Sequence, residues 1–202
     1  RLRRPFYQAA RALIGYADQY DLLYRSSEWD KMSADAAYPT RRANVEKNFI
    51  GNGGEYCRSQ MDEYSSVQSL NNGYADYLQG VVAAGRVLGR QDFLDYALTS
   101  HMSIFHFLEN AIDRDGQYFE TAFMYSSHAL SLYTHHAEML RNHRDATRPD
   151  GVNLYDHPKM LLALLEAERA VECAGHAHPP LGDTGPNLQV VRPGEAERVN
   201  AY

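Results

Sequence analysis

The stretch NNGYADYLQGVVAAGRVLG, residues 71–89, decides the fold class because it contains the clearest helical pattern in the chain. Its large apolar side chains recur at spacings of three and four, which is the period of one face of an α-helix. They are Tyr74, Tyr77, Leu78, Val81, Val82 and Leu88. Asn71 and Asn72 stand in a turn before this helix, where asparagine is among the best N-caps, and Gly89 marks its end.

The same period continues on both sides of this stretch. Helices are predicted over about residues 6–25, 41–69, 74–88, 91–111 and 158–174, and from the turn at Asp115-Gly116 to about residue 143. The second is expected to break or bend at the GNGG of residues 51–54. No convincing strand alternation precedes residues 176–202, which are rich in Pro and Gly and are predicted to be irregular. Consecutive helices with short turns predict an all-α fold of antiparallel hairpins, as in a bundle, a repeat array or an α/α toroid.

The composition bounds the class of protein. The chain has 202 residues and 44% hydrophobic residues, so a sizeable core is expected. Its net charge of −6 argues against a nucleic-acid binder. No apolar run is long enough for a membrane span, and the first residues resemble the interior of a longer protein rather than a signal peptide. Cys57 and Cys173 are expected to form either a disulfide or free thiols.

Two stretches place hydrogen-bonding groups where a helix meets a loop. Asn71 and Asn72 either cap a helix or form an amide pair that donates to a carboxylate or carbonyl. The stretch DGQYFETAFMYSSHAL, residues 115–130, contains Glu120, Tyr125 and His128 in what is predicted to be the start of a helix. This stretch is either a solvated helix start, favoured by the helix dipole, or one wall of an active site.

Histidine and arginine residues gather further along the same predicted helix. His128, His135, His136 and His143 accompany Glu138, but no H-E-x-x-H pattern is present, so no metal site is predicted. The run RNHRDATR, residues 141–148, begins with Arg141. It either compensates the dipole at a helix end or forms an anion-binding rim.

Four stretches together resemble the heparinase II/III-like polysaccharide lyases and the related alginate lyases. They are YADQYDLLYRSSEW, LNNGYADYLQGVVAAG, DGQYFETAFMYSSHAL and, more weakly, HPPLGDTG. In the second, Asn71 is followed five residues later by Asp76, and in the third, Glu120 is followed five residues later by Tyr125. The resemblance implies an incomplete α/α toroid over residues 1–175. Residues 176–202 would then be a linker toward a β-sandwich domain of the same parent protein.

The resemblance also implies a reaction, which is β-elimination on a uronic-acid-containing polysaccharide. In this scheme Asn71 neutralises the uronate carboxylate and Tyr125 acts as acid and base, without a cofactor. Six residues are expected to contact substrate, namely Asn72, Tyr74, Glu120, His128, His135 and Arg141. Asn72 and Ser126 stand where the family often has His. The resemblance further implies an extracellular or periplasmic location and an acidic polysaccharide as partner. Neither a nucleic-acid partner nor a membrane span is expected.

Two other classes of function stay open at this point. An α/α-toroid glycoside hydrolase would use two carboxylates, such as Asp76 and Glu120. A non-catalytic helical module would bind carbohydrate or protein through a helical surface.

Overall fold

The computed structural model describes residues 7–66, 69–120, 123–165, 177–178 and 189–190. The fold is all-α, as predicted, apart from two strands of two residues each, β1 (Ala177–His178) and β2 (Gln189–Val190), which pair antiparallel. The α-helices are α1 (Tyr7–Leu22), α2 (Arg41–Asn44), α3 (Asn52–Ser66), α4 (Asn72–Leu88), α5 (Gln91–Thr99), α6 (Ile104–Ala111), α7 (Phe123–Leu140) and α8 (Pro158–Leu165). Short 3₁₀-helices cover Ser27–Asp30 and Leu154–Asp156, and a π-helix covers Val45–Gly51.

The chain divides into two compact units, residues 1–105 and residues 106–202. In the first unit α4 lies at the centre, in contact with α1, α3 and α5. All residues from Gly73 to Gly85 are buried, including the polar Asp76 and Gln79. The sequence predicted one apolar face for this helix. In the structure, helix α4 is buried on all sides because three helices surround it.

The second predicted helix changes geometry within residues 51–54, where the π-helix ends at Gly51 and α3 begins at Asn52. Helix α3 continues through Gly53 and Gly54 without a break, and the irregular segment is the π-helix that precedes it. A Cβ atom at Gly54 would lie 2.6 Å from Phe93 Cε2 and 2.8 Å from the Ala84 Cβ. Close packing of α3 on α4 and α5 therefore explains this glycine, and tertiary contacts override its low helix propensity.

Two predicted helices have different boundaries in the structure. The helix predicted over residues 91–111 is two helices, because Ser100 is extended (φ −63°, ψ 162°) and its carbonyl accepts a hydrogen bond from the Ser103 amide at 3.0 Å. The helix predicted after Gly116 has its first described helical residue at Phe123. Before it, Gly116 has φ 80° and Ile112 forms an antiparallel bridge with Tyr118. A local turn therefore replaces the predicted first helical turns.

The second unit has a core of aromatic and aliphatic side chains from α6, α7 and the segment before α8. Phe107 packs on Tyr133 with ring centroids 5.2 Å apart, and Leu140, Leu154 and Met160 are fully buried. Pro158 is the first residue of α8, as predicted, where its missing amide hydrogen costs nothing. Residues 166–174 of the predicted last helix lie outside the described residues, as does most of the tail at 176–202.

Cys57 is a buried free thiol of α3. Its burial, with a smaller effect of the Asp76 charge, raises its pKa to about 12. Cys173 lies outside the described residues. None of the helices in the described ranges combines the length and apolar character that crossing a membrane requires.

Candidate functional site

Asn71 is the N-cap of helix α4. Its backbone is extended (φ −66°, ψ 170°), and its side-chain Oδ1 accepts a hydrogen bond from the Tyr74 amide at 3.1 Å. Because an amide nitrogen can only donate, this bond fixes which side-chain atom is the oxygen. The Asn71 Nδ2 group therefore points away from the cap, and no hydrogen bond from it to another described residue is present. The half-buried side chain thus holds two N–H donors in a fixed direction.

The residues that follow Asn71 differ in how deeply they are buried. Asn72 is the first residue of α4 and is half-buried. Tyr74 is fully buried, and its hydroxyl donates a hydrogen bond to the Met102 carbonyl. Burial also raises the Tyr74 pKa well above its ordinary value. A side chain with no exposed surface in this conformation does not reach a polymer, so its visible role is to join α4 to the segment between α5 and α6.

Asp76 lies one turn further along α4 and is 0% exposed. Arg11 of α1 holds it with two hydrogen bonds, from Nε to Oδ1 at 2.9 Å and from Nη2 to Oδ2 at 2.7 Å. The hydrogen bond to Asp76 raises the pKa of the Arg11 guanidinium. This bidentate pair joins α1 to α4 close to the capped end of α4.

Tyr125 lies in the first turn of α7, in the second unit. It is the third residue of the helix and is half-buried. His128 follows at i+3, on the same side of the helix, and is also half-buried. Glu120 is half-buried in the turn before α7, not in the first helical turn where the sequence predicted it. Ser126 is buried, and its Oγ has no hydrogen-bond partner among the described residues.

A polar groove runs along α7. Its lining residues lie three or four positions apart on the helix and are Ser127, Leu130, Ser131, Thr134, His135 and Glu138. Glu138 accepts a hydrogen bond from the Tyr155 hydroxyl at 2.6 Å. The exposed Arg141 lies one turn beyond, with its Nη1 atom 3.8 Å from Glu138 Oε2. Hydroxyl, imidazole and guanidinium groups in this order are suited to hydrogen-bond a sugar polymer.

A family model described as alginate lyase matches residues 27–170. The chain belongs to the alginate lyase family. No curated protein and no solved structure matched the chain. Family membership supports polysaccharide lyase activity as the general function and confirms the alginate lyase part of the predicted resemblance. The heparinase II/III-like part and the toroid arrangement stay predictions.

The match to the alginate lyase family spans the capped start of α4 and all of α7. Within that range, Asp145 accounts for part of the basic run at residues 141–148 because it binds two of its side chains. This carboxylate accepts hydrogen bonds from Arg148 Nη2 at 2.6 Å and Arg148 Nε at 3.0 Å, and it lies 3.0 Å from His143 Nε2. His143 and Arg148 thus stabilise a turn, which leaves Arg141 and Arg144 as the exposed candidates for an anion rim.

His135 and His136 of this alginate lyase family chain point in different directions, as adjacent helical residues must. His135 lines the polar groove, whereas His136 is fully buried. Burial, and to a smaller extent the neighbouring His135, lowers the His136 pKa to about 3. In the part of the chain that the structure describes, no three His, Cys, Asp or Glu residues are grouped to hold a metal ion.

One residue near the capped end of α4 was not singled out by the sequence. Tyr64 lies in the last turn of α3 and is one of the 15 tyrosines of the chain, and nothing in its local sequence distinguishes it. Its position becomes apparent only from the packing of α3 against α4.

Proposed function

We propose that this chain cleaves a uronic-acid-containing polysaccharide by β-elimination, with Asn71 and Tyr125 as its reacting groups. The observation that supports this best is the orientation of the Asn71 amide. Its oxygen is bound to the Tyr74 amide, so its N–H₂ group is available to an incoming carboxylate. The family membership gives the reaction class, and the roles of individual residues are this proposal.

The chemistry sets two requirements. The C5 proton of a uronate is poorly acidic because the adjacent carboxylate is already negative. A base removes this proton, the C4–O4 bond breaks, and a C4=C5 double bond forms while an acid protonates the departing O4. Negative charge grows on the carboxylate during this step, so hydrogen-bond donors aimed at it stabilise the transition state.

Asn71 meets the first requirement. A neutral amide donates to a carboxylate without competing as a base. Because the cap fixes the side chain before substrate arrives, little orientational freedom remains to be lost on binding. Asn72 provides a second amide at the same helix start.

Tyr125 meets the second requirement. A phenol has an ordinary pKa near 10, so its action as a base depends on surroundings that favour the anion. The first turn of a helix is such a place, because the partial positive charge of the helix N-terminus favours a negative group there. The same phenol serves as acid when it protonates O4.

Further contacts to the polymer are proposed for His128, His135, Arg141 and Glu120. His128 lies beside Tyr125 on α7, and His135 lines the polar groove. Arg141 is exposed one turn beyond Glu138 and provides a cation for a neighbouring uronate. The buried Tyr74 is not included. A β-sandwich domain in the parent protein and an extracytoplasmic location also remain part of the proposal.

The burial of Asp76 weighs against a hydrolase. Glycoside hydrolases need two carboxylates that contact the sugar, and Asp76 is fully buried and held by Arg11.

The test is incubation of the protein with a panel of uronate polysaccharides, namely alginate, heparan sulfate, hyaluronan and chondroitin sulfate. Ultraviolet absorbance of the conjugated product indicates a lyase. Reducing ends without that absorbance would indicate a hydrolase, and binding without either product would indicate a binding module.

A further inference from the structure

The hydroxyl of Tyr64 lies beside the capped end of α4. A Cβ atom placed on Gly73 would lie 3.1 Å from Tyr64 Oη and 3.2 Å from Asn71 Oδ1. The two polar side chains therefore flank the same backbone position. Because residue 73 is glycine, the space between them is not filled by a side chain.

The ring of Tyr64 is held in place by two buried tyrosines. Its centroid lies 6.3 Å from that of Tyr74 and 5.8 Å from that of Tyr77. Both neighbours are fully buried, whereas Tyr64 itself is half-buried. This packing fixes the apolar body of the ring, and the Oη atom lies next to Gly73 at the start of α4. A tyrosine in this state offers a polar tip on a rigid apolar support.

We propose that Tyr64 contacts the substrate together with Asn71, its hydroxyl donating a hydrogen bond to the same uronate carboxylate. This inference rests on the proposed function. The O–H group of a phenol can donate one hydrogen bond to a carboxylate oxygen. Two donors of different kinds, an amide and a phenol, then neutralise one carboxylate. Gly73 is part of the arrangement because a Cβ atom there would contact both Tyr64 Oη and the Asn71 side chain.

The first test is Tyr64→Phe, which removes the hydroxyl and keeps the ring. The matched control is Tyr56→Phe on the same helix, since Tyr56 also packs on Tyr77 with centroids 6.1 Å apart but lies two turns away from Tyr64. On the uronate polysaccharide that the wild type cleaves best, Tyr64→Phe should lower kcat/KM about tenfold or more, as expected for a lost hydrogen bond to a charged group. Tyr56→Phe should stay close to the wild type, and both variants should keep the wild-type Tm.

A second variant tests the geometry. Gly73→Ala improves helix propensity, yet its methyl group would lie 3.1 Å from Tyr64 Oη and 3.2 Å from Asn71 Oδ1, so these side chains would have to shift. It should therefore lower kcat/KM, with circular dichroism to verify that the variant keeps its helical content. The inference is overturned if Tyr64→Phe and Gly73→Ala both have wild-type kinetics, or if Tyr56→Phe loses as much activity as Tyr64→Phe.

A binding measurement separates this inference from the proposed function. The ligand for calorimetric titration of each variant is a mannuronate tetrasaccharide. If the wild type cleaves a different uronate polymer, the tetrasaccharide of that polymer is used instead. If the wild type forms no unsaturated product from any polymer, the proposed function fails. Weaker tetrasaccharide binding by Tyr64→Phe than by the wild type and Tyr56→Phe would still support the contact. Equal binding by all three, or no binding by the wild type, would overturn it.

Discussion

The side-chain oxygen of Asn71 accepts a hydrogen bond from the backbone amide of Tyr74 at 3.1 Å. One residue thus has two separable features, an oxygen that caps α4 and an N–H₂ group that is proposed to bind a carboxylate. Substitutions at position 71 can therefore distinguish the structural feature from the chemical one.

Asn71→Asp should keep the cap and abolish activity. Aspartate caps helices about as well as asparagine, so Tm should change little. The substitution removes both N–H donors and places a negative charge against the uronate, so kcat/KM should fall at least about 100-fold. Asn71→Ala is the control, because it loses the cap as well and should cost about 1 kcal/mol of unfolding free energy. An active Asn71→Asp variant would contradict the assigned role.

Arg11→Met should destabilise the first unit strongly. It leaves the fully buried Asp76 carboxylate without its bidentate partner, and because Arg11 is itself partly exposed the cost should be about 1–3 kcal/mol. The comparison is Lys31→Met, which removes an exposed ion pair with Glu28 and should cost less than about 1 kcal/mol. Urea unfolding measures both. Equal losses would show that the buried pair is not a principal contact between α1 and α4.

Gly54→Ala should destabilise the protein, although alanine is the better helix former. The new methyl group would meet Phe93 and Ala84 at less than van der Waals distance, and overpacking of this kind costs about 1–3 kcal/mol. Gly15→Ala on α1 is the matched control, since nothing lies within 4 Å of its Cβ position. That variant should gain up to about 1 kcal/mol. Thermal unfolding of both variants tests the sign of each change.

His136→Leu should flatten the pH dependence of stability. Burial lowers the His136 pKa to about 3 in the folded state, against about 6.5 in an unfolded chain. Between these values the unfolded state binds the proton, so stability falls as pH decreases from 6.5 toward 3, by at most about 1.4 kcal/mol per pH unit. Above pH 6.5 this residue contributes no slope.

Urea unfolding at pH 7 and pH 5 tests this sign. The difference in unfolding free energy between the two pH values should be smaller in His136→Leu than in the wild type. An unchanged difference in His136→Leu would contradict the buried neutral state.

Much of the fold follows from periodicity, and the exceptions have identifiable causes. Helices α1 and α4 were predictable because their apolar residues repeat at the helical period. The continuity of α3 through Gly53 and Gly54 was not, because it depends on contacts with Leu13 and Phe93 that are distant in sequence. The break at Ser100 and the turn at Gly116 likewise depend on local backbone conformations that apolar spacing does not encode.

The candidate site was predictable only where the role of a residue follows from its own type and its position in the sequence. Asn71 was recognisable as a cap, and the direction of its N–H₂ group follows from that cap. The complete burial of Tyr74 was not predictable. A spacing of three and four residues indicates which face of a helix is buried, but it does not show that the Tyr74 hydroxyl finds a partner in the Met102 carbonyl. Tyr64 could not be identified, since its place next to Gly73 results from the packing of α3 on α4.

Tyr125→Phe tests the central claim most directly. The variant keeps the aromatic ring in the first turn of α7 and removes the hydroxyl proposed to exchange the proton. Initial rates are measured by ultraviolet absorbance on the uronate polysaccharide that the wild type cleaves best, with circular dichroism to verify the fold. The account predicts a rate at least about 100-fold lower with an unchanged helical spectrum and Tm. A folded Tyr125→Phe protein that produces unsaturated sugar at the wild-type rate would contradict it.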